Sequence, residues 1–221
     1  MRASPPLSPP HEHLMTTSPT DTLLDTLSAT PTLWNILRWI VEAGFHGERL
    51  AIARELRPWA GDSRRFLDFG CGTGEFADLF PPERYVGIDL STTYLRFAGQ
   101  HRPGSYLATS GERLALADAS FDAALVVGVI HHLPDEIASA ALAEIHRALR
   151  PGATALVMED IPPPNPWNLA GHLMHWLDRG GYIRSEADYR AIFGPGFTVE
   201  HSYPIRSGIC DYAVYVLKRS Q

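Results

Sequence analysis

The sequence predicts an α/β fold in which a mostly parallel sheet is covered by helices on both faces. After position 61, short β-prone runs alternate with helical stretches of about ten residues, which is the pattern of a parallel sheet. The turn GCGTG at 70–74 directly follows the first of these runs. The clearest helical stretch has one apolar stripe and ends at the Pro-Gly pair 151–152.

The N-terminal part of the chain divides into a tail and a helical cap. Residues 1–20 are rich in Pro, Ser and Thr and lack periodicity, so we expect them to be disordered. Residues 21–60 are expected to form the cap. Apolar residues recur at helical spacing over 32–57, and Gly44 and Gly47 interrupt them, which predicts two helices before the main domain at 61–221.

Seven strands are expected in the main domain. The first five β-prone runs are Arg65–Phe69, Tyr85–Asp89, Ser105–Thr109, Ala123–Gly128 and Thr154–Glu159. Helices are expected to fill the gaps between them, most clearly Asp135–Leu149. The last two runs, 197–203 and 212–217, are predicted to form an antiparallel closing pair.

A helical insertion separates the fifth strand from the sixth. It comprises a Pro-rich spacer and possible lid at 161–184, in which the stretch 167–177 is amphipathic. Its apolar residues are expected either to cover a bound acceptor or to pack in the core. Ser185, with Asp188 three residues later, predicts the start of a further helix.

Composition excludes several classes of function. The net charge is -6 and no run of basic residues is clustered enough to neutralise several phosphates, which argues against nucleic acid as the main partner. No apolar run of about 18 residues predicts a membrane span. The two cysteines, Cys71 and Cys210, match neither a zinc site nor a disulfide scaffold. We therefore expect a cytoplasmic protein without a metal.

The glycine turn points to a bound nucleoside. A turn that leaves a strand and enters a helix presents N–H groups and lets a ligand approach the main chain closely. The spacing Gly70-x-Gly72-x-Gly74 departs from the dinucleotide fingerprint, which weakens a pyrophosphate interpretation. About twenty residues later Asp89 ends the second strand, where a carboxylate can accept hydrogen bonds from both hydroxyls of a ribose.

These features resemble the class I S-adenosylmethionine-dependent methyltransferases, in the small-molecule group similar to ubiquinone and menaquinone biosynthesis methylases. The resemblance runs from about 64 to 160 through LDFGCGTG, VGIDLS, SFDAALVVGVIHHLPD and LRPGATALVMED, in that order. It implies a Rossmann-like, seven-stranded, mostly parallel sheet whose last strand is antiparallel. It also implies S-adenosyl-L-methionine as the cofactor.

The resemblance also assigns residues to the amino-acid and ribose ends of the cofactor. The amino-acid end would be held by Asp68 and the turn Gly70, Cys71 and Gly72. Asp89 would hold the ribose hydroxyls, and Leu90 would pack on the adenine. Gly74 would seat the following helix against the strand.

Further positions would complete the cofactor site. The family usually has an acidic residue followed by Ala where this sequence has Ser110 and Gly111. The adenine contact would then come from the serine hydroxyl, the Gly111 N–H or a water. Val127 and Gly128 would line the methionine portion, with His132 nearby.

Methyl transfer depends mainly on positioning, because a sulfonium methyl is already activated. Holding the reactants in place contributes more than a general base, which matters only if the acceptor must lose a proton. Histidine suits that task near neutral pH, and His131 beyond the fourth strand is the first candidate. The alternates are Glu159, Asp160, His172, His175 and Tyr182.

The acceptor is expected to be a small, apolar or aromatic molecule. Two other functions stay open: a nicotinamide-dependent oxidoreductase, and a cofactor-binding module that has lost catalysis and acts through a partner. The glycine spacing weighs against the first, and the intact ligand positions weigh against the second. Cys71 is expected to be a small residue in a tight turn rather than a nucleophile.

Overall fold

The computed structural model describes residues 30–56, 63–111, 113–177 and 181–220. The predicted tail at 1–20 and the first part of the cap, 21–29, lie outside the described residues.

Six α-helices and seven strands make up the described fold. The helices are α1 Pro31–Val41, α2 His46–Glu55, α3 Thr92–His101, α4 Asp135–Ala148, α5 Leu169–Leu177 and α6 Glu186–Phe193. The strands are β1 Phe66–Phe69, β2 Tyr85–Asp89, β3 Ser105–Ala108, β4 Phe121–Val127, β5 Leu149–Asp160, β6 Phe197–Ser207 and β7 Cys210–Arg219. Every strand expected from the sequence is present, and β5, β6 and β7 are longer than predicted.

All seven strands form one sheet, in the order β3-β2-β1-β4-β5-β7-β6. Strands β1 to β5 run parallel to one another, whereas β7 is antiparallel to both β5 and β6. The expected mostly parallel sheet with its antiparallel last strand is confirmed. Because parallel strands end at one edge, the carboxyl ends of β1, β2, β4 and β5 meet there.

Each face of the sheet covers its own hydrophobic core. On one face, covered by α4 and α6, the strands contribute Leu67 and Val157 and α6 contributes Tyr189. On the other face, covered by α2, the strands contribute Phe66 and Met158 and α2 contributes Ile52. Successive strand residues alternate between these faces, so both sides of the central strands are apolar.

Two expected helices are missing or shortened. The glycine turn after β1 leads into the 3-10 helix Ala77–Leu79 rather than an α-helix. Between β3 and β4 the described residues form turns and irregular backbone. The stretch 70–80 carries three glycines and ends before two prolines, which limits its capacity to form a helix.

Both predicted N-terminal helices are present, and the apolar stripe of the first one is exposed. The break between α1 and α2 falls at Gly44, which has a φ of +69°. The apolar stripe of α1, including Leu33, Ile36 and Ile40, is exposed rather than buried. The predicted cap of α6 is confirmed, since the Ser185 hydroxyl accepts a hydrogen bond from the N–H of Asp188. No described helix has the length and hydropathy that a bilayer crossing requires.

Candidate functional site

The glycine turn after β1 is held by its own main-chain hydrogen bonds. The N–H groups of Gly70 and Cys71 both donate to the carbonyl oxygen of Ile88, at 2.8 and 2.9 Å. The N–H of Gly74 donates to the carbonyl of Cys71 at 2.8 Å. These N–H groups therefore bond within the protein, contrary to the expectation that the turn presents them to a ligand. Their bonds to β2 fix the turn against the sheet.

Each glycine of the turn has a positive φ, but only one borders open space. A Cβ on Gly70 would lie 2.3 Å from Cγ2 of Val129, and a Cβ on Gly74 would lie 2.7 Å from the hydroxyl of Tyr106. A Cβ on Gly72 would meet no atom within 4 Å. The sequence predicted that Gly74 would seat a helix against the strand. In the structure Gly74 instead accommodates Tyr106 of β3. Gly72 leaves room for a ligand to approach the main chain.

Asp89 is fixed at the carboxyl end of β2. Its Oδ2 accepts a hydrogen bond from the N–H of Gly72 at 2.9 Å, and its Oδ1 accepts one from Ser91 at 2.7 Å. Each carboxylate oxygen has a further lone pair available. Leu90 is 75% exposed directly beside this carboxylate. A carboxylate that can accept hydrogen bonds and an exposed apolar side chain thus adjoin the open side of Gly72.

Asp68 lies deeper, within β1. Its carboxylate is buried and accepts a hydrogen bond from the Tyr85 hydroxyl at 2.5 Å. Burial raises the pKa of Asp68 to about 7; the Tyr85 bond opposes the rise, and the charge of Asp89 adds to it. A cationic group bound nearby would favour the ionised form of Asp68.

Cys71 is a packed thiol. A Cβ on Gly87 would lie 2.7 Å from its sulfur, so the two residues are in close contact. Burial, followed by the charges of Asp68 and Asp89, raises the pKa of the Cys71 thiol far above its usual range. No α-helix begins at this turn. The geometry supports the small-residue interpretation of Cys71.

The predicted adenine and methionine positions differ in exposure. Ser110 is exposed, whereas Gly111 is buried, and a Cβ there would lie 2.8 Å from Cζ of Phe69. Val127 ends β4 half-buried, and Gly128 follows with a φ of +64°. Both pairs lie at the edge that carries Asp89.

Glu159 fixes the loop after β4. This fully buried carboxylate accepts hydrogen bonds from the N–H groups of Val129 at 3.3 Å, Ile130 at 2.9 Å and His131 at 3.1 Å. Its Oε2 also lies 2.6 Å from Nδ1 of His131. His131 is thereby buried, while the adjacent His132 is exposed. These contacts give Glu159 a structural role and restrict access to His131.

The residue after Glu159 forms a second histidine–carboxylate pair. Nδ1 of His175 in α5 is 2.6 Å from Oδ2 of Asp160, the last residue of β5. The sequence proposed each residue separately as a base but gave no signal that they meet. His172 and Tyr182, the other alternates from the insertion, are exposed.

The β6–β7 turn joins the two helices that flank this edge. The N–H of Ile209 donates to the carbonyl of Val41 in α1 at 3.0 Å, and the carbonyl of Ile209 accepts from the Asn168 side chain before α5 at 2.9 Å. The Thr73 hydroxyl of the glycine turn donates to Asn35 of α1 at 2.7 Å. Sequence reasoning missed these contacts because they join residues far apart in the chain.

Arg184 is a further residue that the sequence did not indicate. Its buried guanidinium donates to the carbonyls of Ile130, Tyr182 and Leu133 at 2.6 to 2.9 Å, and it pairs with Asp135. It therefore ties the end of the insertion to the loop after β4. Among the described residues no group of three or more His, Cys, Asp and Glu is arranged to hold a metal ion.

A buried acidic pair lies beneath α1. Glu42 pairs with Arg38 at 2.7 Å and accepts a hydrogen bond from the Tyr212 hydroxyl at 2.9 Å. Although burial acts to raise it, the charge of Arg38 holds the pKa of Glu42 below its usual range. Burial and the neighbouring Glu42 raise the pKa of Glu48 to about 8. The pair thus carries a proton near neutral pH.

The sheet order and the pairing of a glycine turn with Asp89 define an α/β protein whose sheet edge suits a nucleoside-containing ligand. Residues 67–157 match a family model described as a methyltransferase domain. That segment belongs to this family, and the fold is that of the class I S-adenosylmethionine-dependent methyltransferases.

Two curated relatives match part of the chain. Over 157 residues it is 38% identical to the ubiquinone/menaquinone biosynthesis C-methyltransferase UbiE of Syntrophotalea carbinolica, covering 64% of each chain. It is 36% identical over 96 residues to the malonyl-[acyl-carrier protein] O-methyltransferase of Methylococcus capsulatus, covering 40% of this chain and 34% of the relative. The chain thus spans less than two thirds of the length of either relative.

A solved structure matches almost the whole fold. The N-methyltransferase NodS of Bradyrhizobium japonicum, in complex with S-adenosyl-L-homocysteine, has a TM-score of 0.69 and 18% sequence identity. The match covers 92% of this chain and 100% of the other. The three proteins are named for methylation of carbon, oxygen and nitrogen, so the shared fold does not determine the target atom.

Proposed function

We propose that this chain transfers the methyl group of S-adenosyl-L-methionine to a small apolar or aromatic acceptor. The observation that carries the proposal is the open side of Gly72, which a side chain would occupy, beside a fixed Asp89 carboxylate and an exposed Leu90. Main-chain access, an acceptor for ribose hydroxyls and an apolar surface for adenine thus occur together. They fit the three parts of an adenosyl compound.

The residues present divide the binding task. Asp89 would hold the ribose hydroxyls, and Leu90 would pack on the adenine, with Ser110 and Gly111 at its edge. The amino-acid end would lie at Asp68 and the glycine turn, with Val127, Gly128 and His132 along the methionine portion. When bound, the cofactor supplies a methyl group already activated by positive sulfur.

The apolar character of the acceptor follows from the insertion. Trp167 is 86% exposed and Trp176 75% exposed on the segment that reaches Asp160 through His175. An exposed apolar surface beside a polar pair suits an acceptor with an aromatic body and a polar reacting group. Because Cys71 and Cys210 are free thiols, a reducing cytoplasmic setting stays our prediction.

Calorimetric titration with S-adenosylmethionine, S-adenosylhomocysteine and NADH tests the proposal. We expect the first two to bind and NADH not to bind. Asp89→Ala should raise the dissociation constant about tenfold or more, because hydrogen bonds to a carboxylate contribute about 1.5–3 kcal/mol.

Asp118→Ala is the matched control for Asp89→Ala. The Asp118 side chain is 78% exposed and precedes β4, at the opposite edge of the sheet. The S-adenosylmethionine dissociation constant of Asp118→Ala should equal that of the wild type. Binding of NADH alone, or an unchanged constant in folded Asp89→Ala, would contradict the proposal.

A further inference from the structure

The two histidine–carboxylate pairs at the end of β5, His131–Glu159 and His175–Asp160, lie on opposite faces of the sheet. Glu159 and Asp160 are consecutive in β5, and the β5–β7 register is regular through Asp160, so their side chains point to opposite sides. Asp160 follows Met158 by two residues and shares its face, which is the face covered by α2. Asp68 follows Phe66 by two residues in β1 and shares the same face. Asp160 and Asp68 are therefore on one side, and Glu159 with His131 is on the other.

The helix that carries His175 is anchored beside this face. The Asn168 side chain bonds the Ile209 carbonyl, and a Cβ on Gly171 would lie 2.5 Å from that oxygen, so α5 packs directly on the β6–β7 turn. His175 is four residues after Gly171 and thus on the same side of the helix. The anchoring directs His175 towards Asp160 at the carboxyl edge.

His175 is also the more accessible of the two paired histidines. Its side chain is 24% exposed, against 5% for His131. A proton acceptor must reach the group that it deprotonates, either directly or through one water. Of the two pairs, His175 with Asp160 meets that condition better.

We infer that His175, oriented by Asp160, is the general base for an aromatic hydroxyl on the acceptor, an inference that rests on the proposed function. The carboxylate of Asp160 bonds Nδ1 and leaves Nε2 to accept a proton, the arrangement of a base held by a third group. The acceptor O–H proton passes to Nε2 of His175, and Asp160 offsets the resulting positive charge. The oxygen electron pair forms the O–CH3 bond as the S–CH3 bond breaks, and its electrons remain on a neutral thioether.

The His175–Asp160 pair indicates that the methyl acceptor is a phenol rather than an amine. An amine attacks through a lone pair that it already has, whereas a phenol becomes a strong nucleophile only when its proton is removed. A histidine base matches a phenol near neutral pH. The exposed Trp176 beside His175 is consistent with an aromatic acceptor.

The test uses 4-nitrophenol as the probe, because its phenolate absorbs visible light. The protein is saturated with S-adenosylhomocysteine, at a pH about one unit below the pKa of the free phenol. At this pH about one tenth of the free phenol is already ionised, and we expect the wild type to add a phenolate band above that background. His175→Gln and Asp160→Asn should each remove the added band, so that total ionisation falls about fivefold for a change of one pKa unit, with the S-adenosylhomocysteine dissociation constant unchanged. His172→Gln, an exposed residue of the same helix, is the control and should retain the band.

Each outcome decides the inference. A wild type without the band, or a His175→Gln protein that retains it, overturns the role of His175. Reduction of the band in His175→Gln alone supports His175 and removes Asp160 from the role. Failure of the wild type to bind S-adenosylhomocysteine by calorimetry instead overturns the proposed function, so the two failures are distinguishable.

Discussion

The two sides of the carboxyl edge are built in different ways. The proposed cofactor side, at the ends of β1 and β2, is held by main-chain hydrogen bonds such as those from Gly70 and Cys71 to Ile88. The proposed acceptor side, around α1, α5 and the β6–β7 turn, is held largely by side chains, among them the His175–Asp160 pair and the Asn168 contact. The first depends on glycine spacing, and the second depends on particular polar residues.

This difference agrees with the extent of the match to the family model. The matched segment 67–157 contains the glycine turn and Asp89 but ends before Asp160 and α5. Main-chain geometry can be kept by many sequences, provided that the glycines remain. Side-chain pairs are more readily replaced, so the acceptor side can change while the cofactor side stays the same.

The largest expected effect tests whether a side chain holds the end of the insertion against the loop after β4. Arg184→Ala leaves the carbonyls of Ile130, Leu133 and Tyr182 without their donor. We expect the free energy of unfolding to fall by about 3 kcal/mol, since a buried group that loses its partner is costly. Urea denaturation measures this free energy of unfolding. Arg190→Ala, which removes an exposed helix pair, is the control and should cost less than about 1 kcal/mol.

A contrast between two glycines tests the main-chain side. Gly70→Ala places a Cβ against Val129, so the free energy of unfolding should fall by about 2 kcal/mol or more. Gly72→Val enters open space; it should cost about 1–2 kcal/mol of backbone strain but raise the S-adenosylmethionine dissociation constant about a hundredfold. Denaturation and calorimetry separate the two effects. Equal affinity in the wild type and Gly72→Val would contradict a ligand at this turn.

The smallest expected effect concerns Glu48, a buried acid in α2. Since the folded pKa of Glu48 is raised to about 8, the native state retains a proton that the unfolded chain loses near pH 4.5. Its contribution to stability is therefore full below pH 4.5 and is lost as the pH rises through about 8. Glu48→Gln should reduce the fall in unfolding free energy by up to about 1.4 kcal/mol per pH unit between pH 5 and 8.

Denaturation at several pH values measures this slope. Glu83→Gln removes an exposed carboxylate and should leave the slope unchanged. Identical slopes in Glu48→Gln and the wild type would rule out the buried proton.

Sequence patterns predicted the sheet well and the helices less well. The strand runs and the Asp135 helix were identifiable because period and stop signals are local. The prediction of a helix after the glycine turn was wrong, because three glycines and the two prolines that follow limit helix formation there. Exposure of the α1 stripe was likewise unpredictable, since an apolar period does not reveal what covers it.

The sequence by itself determined the order of strands along the chain, the glycine turn and the carboxylate at the end of β2. These features follow from local backbone preferences and from the rule that parallel strands end at one edge. Only the tertiary structure decided which glycine is open and that Glu159 supports a loop. It also decided that Asp160 meets His175, because such contacts arise when segments distant in the chain pack together.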